Sequence, residues 1–249
     1  MRNYNKTILV IGGMGFVGSH FVELLNAKYN NDRIIVIDKE ETKNLDKVRD
    51  TVVFEKIDIN KSEHLFKLYD IDIVINFIPQ QIKCNVKRFI QVLSWNDDPV
   101  QSDIVIRLAR CYGPRQQLQK FIPKSIINAV SRELVMIKND GSSMYDWIYI
   151  SDCCSAIECI LNHGKSGITY VAKTNIKISE YNIIRKILMM LELPLSFVEN
   201  IENVIEMQND FADDNKNVIV PNWQAKIKID DGLRNCISTY NKIENVRNV

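Results

Sequence analysis

The sequence predicts an α/β fold: a doubly wound parallel sheet flanked by helices. Three observations predict it. Short, apolar, β-branched runs alternate with amphipathic ones, the pattern of strands buried on both faces and joined by crossover helices. A glycine-dense turn links the first apolar run to the first amphipathic one. The chain of 249 residues is 46% apolar and 25% charged, enough apolar surface to offset the entropy of ordering. That length allows one large domain or two small ones.

The elements follow in order. Thr7 to Ile11 (TILVI) reads as a fully buried strand. Gly12-Gly13-Met14-Gly15-Phe16-Val17-Gly18 is the turn, and Ser19 to Lys28 a helix with Phe21, Val22, Leu24 and Leu25 mainly on one face. Arg33 to Asp38 (RIIVID) is a second strand that ends in a carboxylate. Val52 to Ile59 is a third strand carrying Asp58, Ser62 to Tyr69 a short helix capped by Ser62, and Ile71 to Ile78 a fourth strand. Ile104 to Leu108 is another buried strand, followed by a turn at Cys111 to Arg115 and a helix over Lys120 to Val130. Asp140 to Ser143 is a tight turn, Tyr145 to Ile150 a strand, and Asp152 the cap of a helix that runs to about Leu161. Ser179 caps a last helix whose Ile183, Ile184, Ile187, Leu188 and Leu191 share a face.

The glycines have a chemical reason. A tight strand-to-helix turn requires positive φ or no Cβ. A diphosphate must approach backbone N–H groups at a helix N-terminus, where the dipole favours anions. The last glycine lets the helix pack close to the strand. Gly13-x-Gly15-x-x-Gly18 and Gly12-x-x-Gly15-x-x-Gly18 both fit dinucleotide-binding templates. A carboxylate at Asp38 accepts both ribose hydroxyls and repels a 2′-phosphate, which favours NAD over NADP, a preference that Lys39 weakens. Asp58 and the Asn76-Phe77-Ile78-Pro79 segment end strands three and four, where ligands of such sheets lie. Asp58 equally fits a solvated loop carboxylate.

Composition excludes other classes. With 32 Lys+Arg against 31 Asp+Glu the chain is neither a polybasic nucleic-acid binder nor an acidic tail protein. No apolar run approaches the ~18 residues of a membrane span. The run after Met1 to Lys6 is broken by glycines, so it is read as the phosphate turn and not as a secretory signal. The six cysteines lack paired C-x-x-C spacing and read as reduced thiols in a cytoplasmic setting, with no metal site.

Five stretches carry a resemblance to a known family: ILVIGGMGFVGSHFV, IDIVINFIP, IVIRLARCYGPRQQLQKFIPKSI, DGSSMYDWIYISDCCSAI and GITYVAKTNIKISEYNII. The chain resembles the extended short-chain dehydrogenases, the NAD-dependent nucleotide-sugar epimerases and dehydratases, and within them the dTDP-glucose 4,6-dehydratase branch. The resemblance implies a Rossmann-type NAD-binding domain over residues 1–110 and a smaller C-terminal α/β substrate domain over 111–249, partly interleaved with the sheet. It implies oxidation of a sugar C4 hydroxyl by NAD, loss of water across C5–C6 and return of the hydride to C6. Carried over position by position, it places cofactor contacts at Gly12, Gly15, Phe16, Val17, Gly18, Asp38, Lys39, Asp58, Ile59, Phe77, Ile78 and Pro79. Substrate contacts fall at Arg110, Arg115, Lys120, Phe121, Ile122 and Tyr145.

The family's catalytic base is the Tyr of a Tyr-x-x-x-Lys motif, aided by a Ser or Thr hydroxyl and an acidic pair. This chain has no Tyr-x-x-x-Lys, and no tyrosine between Tyr69 and Tyr112. Only residues 80–103 lie between Pro79 and Ile104, where the family has a helix, a strand and a second helix. Asn85 to Trp95 (NVKRFIQVLSW) resembles the tail of the catalytic helix, so one strand and the catalytic segment are expected to be missing. Strand four then pairs with Ile104–Leu108 directly or is left as an edge. The family's Asn after the strand arginine is Arg110 here, and its diphosphate-binding Arg before Asp-Trp is Tyr145. Arg110 or Arg115 takes over a phosphate contact, or Arg110 is a surface charge. A second diphosphate Arg has no match near Gln208 to Asp214.

Two readings stay open. One is a dehydratase/epimerase-like protein impaired in catalysis, with a nucleotide sugar such as a dTDP-hexose as partner, or none. The other is a non-catalytic NAD-binding module that senses NAD or pairs with an active homologue, as a homodimer or heterodimer. A third possibility is an active enzyme with another base, Lys83 or Tyr112.

Overall fold

A computed structural model describes residues 5–39, 45, 46, 48, 50–61, 63–80, 82, 84–95, 97, 98, 102–201 and 217–247. The first elements are β1 (Thr7–Ile11), α1 (Phe16–Lys28), β2 (Arg33–Asp38), β3 (Val53–Lys56), α2 (Glu63–Leu68), β4 (Ile73–Asn76), β5 (Arg88–Ser94) and β6 (Ile104–Leu108). Then come β7 (Arg110–Tyr112), α3 (Phe121–Val130), β8 (Val135–Lys138), β9 (Met144–Tyr149) and α4 (Ile150–His163). The last are β10 (Thr169–Ala172), β11 (Lys177–Ser179), α5 (Glu180–Met190), β12 (Val198–Ile201), β13 (Val218–Ile219) and α6 (Ile229–Arg247). Ser62, Lys83, Gln208 to Asp214 and most of Lys43 to Arg49 lie outside the described residues.

The chain forms two compact units. The first takes Met1–Leu108, Cys153–Ala172 and Asp213–Trp223, and the second takes the rest. The first unit is an eight-stranded parallel sheet of order β13-β10-β6-β5-β4-β1-β2-β3. The order reverses after β3, so β1 and β4 lie side by side at a topological switch point.

One expectation is overturned here. Arg88 to Ser94 is a strand, and it sits between β4 and β6, with Val74 opposite Phe89 and Gln91 opposite Val105. The sheet has therefore lost no strand at this point, and β4 neither meets β6 nor forms an edge. Val86, Phe89, Ile90 and Leu93 recur at i, i+3, i+4 and i+7, a helical spacing. The same run also supplies Phe89, Gln91 and Leu93 to one sheet face and Ile90 and Val92 to the other. Burial on both faces selects the strand: Ile90 and Gln91 are fully buried, and Val92 and Leu93 nearly so.

The crossovers are what is short. Residues 77–87 join β4 to β5 and 95–103 join β5 to β6, with no helix among their described residues. Parallel strands normally require a dozen or more connecting residues, usually helical. Here Ile78, Ile82, Cys84 and Val86 pack as an irregular strap against the face that carries Leu9, Ile11, Ile35, Ile37 and Val74. The other face is covered in the usual way. Val22 of α1 lies close to the same spot between Val36 and Val10 that a side chain at Gly13 would fill. Arg88 caps the C-terminal end of α4, donating from Nη2 to the carbonyls of Ile160 at 2.9 Å and Gly164 at 2.6 Å.

The second unit holds a three-stranded sheet, β11-β9-β7, and a two-stranded one, β12-β8. Ser179 caps α5 as expected, accepting from the Asn182 N–H at 3.2 Å, and Ile183, Ile184, Ile187 and Leu188 are fully buried. Asp152 departs from its expected capping role. The helix already begins at Ile150, and Asp152 Oδ2 accepts from the N–H groups of Lys226 and Ile227. In α6, the buried Tyr240 hydroxyl donates to the Gly113 carbonyl at 2.8 Å. Tyr240→Phe is expected to leave that carbonyl unsatisfied at a cost of about 1–2 kcal/mol. A melting temperature lowered by a few degrees in circular dichroism would show it, and an unchanged melt would refute it.

Candidate functional site

The sheet order sets the carboxyl ends of β4, β1, β2 and β3 next to one another. The glycine turn follows β1. Gly12 has φ +74°, a region that suits glycine, and its N–H donates to the Ile37 carbonyl at 2.9 Å. A Cβ at Gly18 would lie 2.3 Å from the Gly12 oxygen, so α1 touches the turn backbone directly. The helix starts at Phe16, and its N-cap, Gly15, supplies no side-chain hydrogen bond. The first-turn N–H groups of such a helix are left for water or an anion. Gly15 is exposed, and Phe16 and Val17 are half-buried. The residues present fit a diphosphate.

Asp38 ends β2, and its Oδ2 accepts from the Met14 N–H at 3.0 Å, which turns the carboxylate toward the glycine turn. Asp58 follows β3. Its Oδ1 accepts from Asn60 N and Nδ2, at 2.9 and 3.0 Å, and its Oδ2 lies 3.2 Å from Lys39 Nζ. The Asn60 N–H, and after it the Lys39 ammonium, holds the Asp58 carboxyl below the usual range. The polar chain continues. Gln80 Nε2 donates to Asn60 Oδ1 at 2.6 Å, Asn76 Nδ2 to the Gln80 carbonyl at 3.1 Å, and Asn76 Nδ2 to Gln91 Oε1 at 2.8 Å. It ties together the carboxyl ends of β2, β3, β4 and β5. Phe77 and Ile78 are half-buried and Pro79 exposed, while Ile59 is buried in the core beneath them. All twelve expected cofactor positions thus belong to this one edge of the first unit.

In the second unit Arg110 is no free surface charge. Its guanidinium carbon lies 3.2 Å from the centroid of the Tyr145 ring and 5.7 Å from that of Trp147. Its Nη1 stands 3.4 Å from Glu180 Oε1. Phe121 stacks on Trp147 at 5.7 Å. Arg110, Tyr145 and Phe121 are therefore brought together. Lys120 is the N-cap of α3, and Arg115 follows the Gly113 turn with φ +65°. Ile122 is buried, with its side chain in the core.

The carboxyl end of β5 is Ser94, a hydroxyl at this edge that the sequence reading did not single out. It is exposed, and its N–H donates to Asp97 Oδ2 at 2.6 Å. Arg107 pins the loop beyond it, donating from Nη1 to the carbonyls of Trp95 and Asp97. The period-two reading of RFIQVLS was the signal that would have found it. Tyr112, one of the alternative bases, is 1% exposed and its hydroxyl lies 3.5 Å from the Ile229 carbonyl. That burial excludes it as a base for an external substrate. Cys236 is equally inert, its thiol pushed up to about 12 by burial. Among the described residues no cluster of His, Cys, Asp and Glu is arranged to hold a metal, and no helix is long and apolar enough to cross a membrane.

Comparison with known proteins fits this geometry. The chain is 24% identical over 307 aligned positions to the low-salt glycan biosynthesis protein of Haloferax volcanii, covering 94% of this chain and 98% of that one. It is 23% identical to human dTDP-D-glucose 4,6-dehydratase over 99% of this chain and 93% of that protein. Among solved structures it matches the NAD complex of dTDP-glucose 4,6-dehydratase from Bacillus anthracis, with a TM-score of 0.80 and 20% identity over 96% of this chain and 98% of that one. It also matches UDP-glucose 4-epimerase from Thermotoga maritima, solved with UDP-glucose, with a TM-score of 0.77 and 18% identity over 95% and 99% of the two chains. Residues 8–89 and 90–172 match the model of the NAD dependent epimerase/dehydratase family. The glycine turn, the acid after β2 and the sheet that carries them are those of a member of that family, to which this chain belongs.

Proposed function

We propose that this chain binds NAD across the carboxyl ends of β1 to β4 and is a nucleotide-sugar dehydratase/epimerase-like protein with impaired turnover. The carrying observation is an intact glycine turn in the same sheet as two crossovers that show no helix among their described residues. NAD supplies hydride transfer when bound. The protein's own part is to seat the diphosphate on the first turn of α1 and the ribose at Asp38. Arg110, held 3.2 Å over the Tyr145 ring, is the cation offered to a nucleotide-sugar diphosphate in place of the arginine that the family has at position 145. Ser94, the last residue of β5, offers an exposed hydroxyl at the same edge.

What is lost is a base. Tyr and Lys four residues apart need a helix turn to face the same side, and residues 95–103 provide none among those described. Without a positioned base, proton transfer alone forfeits roughly 10²–10⁴-fold in rate. Two features of the comparisons support a loss of chain here. The family match breaks between Phe89 and Ile90, inside β5. The alignment to the Haloferax protein spans 307 positions, longer than the chain itself. The non-catalytic NAD-binding module rests on the same observation and differs only in having no turnover at all.

The test is direct. Calorimetric titration with NAD is expected to show saturable binding. Incubation with NAD and dTDP-glucose is expected to give a 4-keto sugar at least a hundredfold more slowly than an intact dehydratase, or not at all. A rate matching the intact enzyme would overturn the impaired reading, and absence of NAD binding would overturn the cofactor reading.

A further inference from the structure

The two charged side chains at the end of β2 diverge. Asp38 and Lys39 are neighbours in sequence, but β2 lies between β1 and β3. Asp38 reaches to the β1 side, where its carboxylate takes the Met14 N–H. Lys39 reaches to the β3 side, where its ammonium meets Asp58 at 3.2 Å. Asp58 is itself fixed, because its other oxygen closes a turn with two bonds from Asn60, and Asn60 is held in turn by Gln80.

This arrangement bears on the dinucleotide's 2′-position. A lysine next to the ribose-binding acid would neutralise a 2′-phosphate and admit NADP. Discrimination is a difference of two affinities, and it is lost as readily by helping the wrong ligand as by failing the right one. We propose that Asp58 is a specificity residue: it draws Lys39 one strand away from the ribose and so preserves the preference of Asp38 for NAD over NADP. The inference rests on the cofactor reading above. The pair is half-exposed, with side-chain exposures of 56% and 33%, so the restraint is modest, about two- to fivefold in affinity.

The test is a double-mutant cycle read by calorimetry, with NAD and NADP titrated separately into the full chain. Asp58→Asn is the informative substitution. Its amide oxygen still accepts the Asn60 N–H, while its attraction for Lys39 is gone. It is expected to lower the ratio of NAD to NADP affinity about two- to fivefold, mainly through tighter NADP binding. Lys39→Ala completes the cycle: it sets the ratio that the chain has with no ammonium at this position, against which the double variant is read. In Asp58→Asn/Lys39→Ala the gain in NADP binding is expected to vanish. A gain that survives without Lys39 would mean that Asp58 acts only through its own charge on the 2′-phosphate, and would overturn the proposal. An unchanged ratio in Asp58→Asn would overturn it too, with NAD binding by the parent chain showing that the cofactor reading stands. If the parent binds neither dinucleotide, the cofactor reading fails and the inference with it.

Discussion

Gly18→Val is expected to abolish NAD binding and to lower stability as well. The added Cβ would sit 2.3 Å from the Gly12 oxygen and 2.9 Å from the Gly13 Cα, and both contacts are backbone, so no rotamer change relieves them. The first turn of α1 has to move away from the loop it presents to the diphosphate. The milder Gly18→Ala makes the size of the effect measurable. Overpacking of this kind costs about 1–3 kcal/mol, and NAD affinity is expected to fall at least tenfold, roughly the equivalent of 1.4 kcal/mol. Gly15→Ala gives the contrast. Its Cβ would lie 3.2 Å from the same oxygen and the residue is exposed, so folding suffers less while the approach of a diphosphate is still obstructed. Thermal melts and calorimetry on the three variants separate the two effects. Unaltered affinity in Gly18→Ala would show that the cofactor, if bound, does not rest on this turn.

The second large effect is expected at Gln91, which lies fully buried in β5. Its Nε2 donates to the carbonyls of Asn76 at 3.1 Å and Ile78 at 2.9 Å, and its Oε1 accepts from Asn76 Nδ2 at 2.8 Å. These bonds hold the end of β4 and the start of the 77–87 strap against β5. Gln91→Leu keeps the volume and removes these three together with a longer bond to the Val92 carbonyl at 3.3 Å. Each buried group left without a partner costs roughly 1–3 kcal/mol, and a network loses more than its separate bonds. The expected loss is about 3–5 kcal/mol, or roughly 10 °C in melting temperature. Gln80→Ala, at the outer end of the same chain of hydrogen bonds, should cost well under half as much. Equal melts for the two variants would mean that the strap is held by its apolar contacts alone.

Much of the site was legible from residues because its determinants are local. A glycine at φ +74° and a glycine that has a backbone oxygen where its side chain would be share one turn, and the acid ends the very next strand. Chemistry at that scale is written directly in sequence spacing. Arg110 was less legible. A guanidinium stacked on Tyr145 and near Glu180 depends on β7, β9 and α5 meeting, and nothing about Arg110 by itself distinguishes that from a solvated charge.

The sequence alone determined the turn, the acid, the two strands that flank them and the absence of a Tyr-x-x-x-Lys motif, since each is a matter of which residue stands where. Only the tertiary structure decided that Arg88–Ser94 is a strand. Its apolar residues satisfy helical and extended spacing at once, and the choice was made by β4 and β6, which offer hydrogen bonds on both sides and burial on both faces. That one decision keeps Ser94 at the carboxyl end of β5, beside two crossovers that show no helix among their described residues.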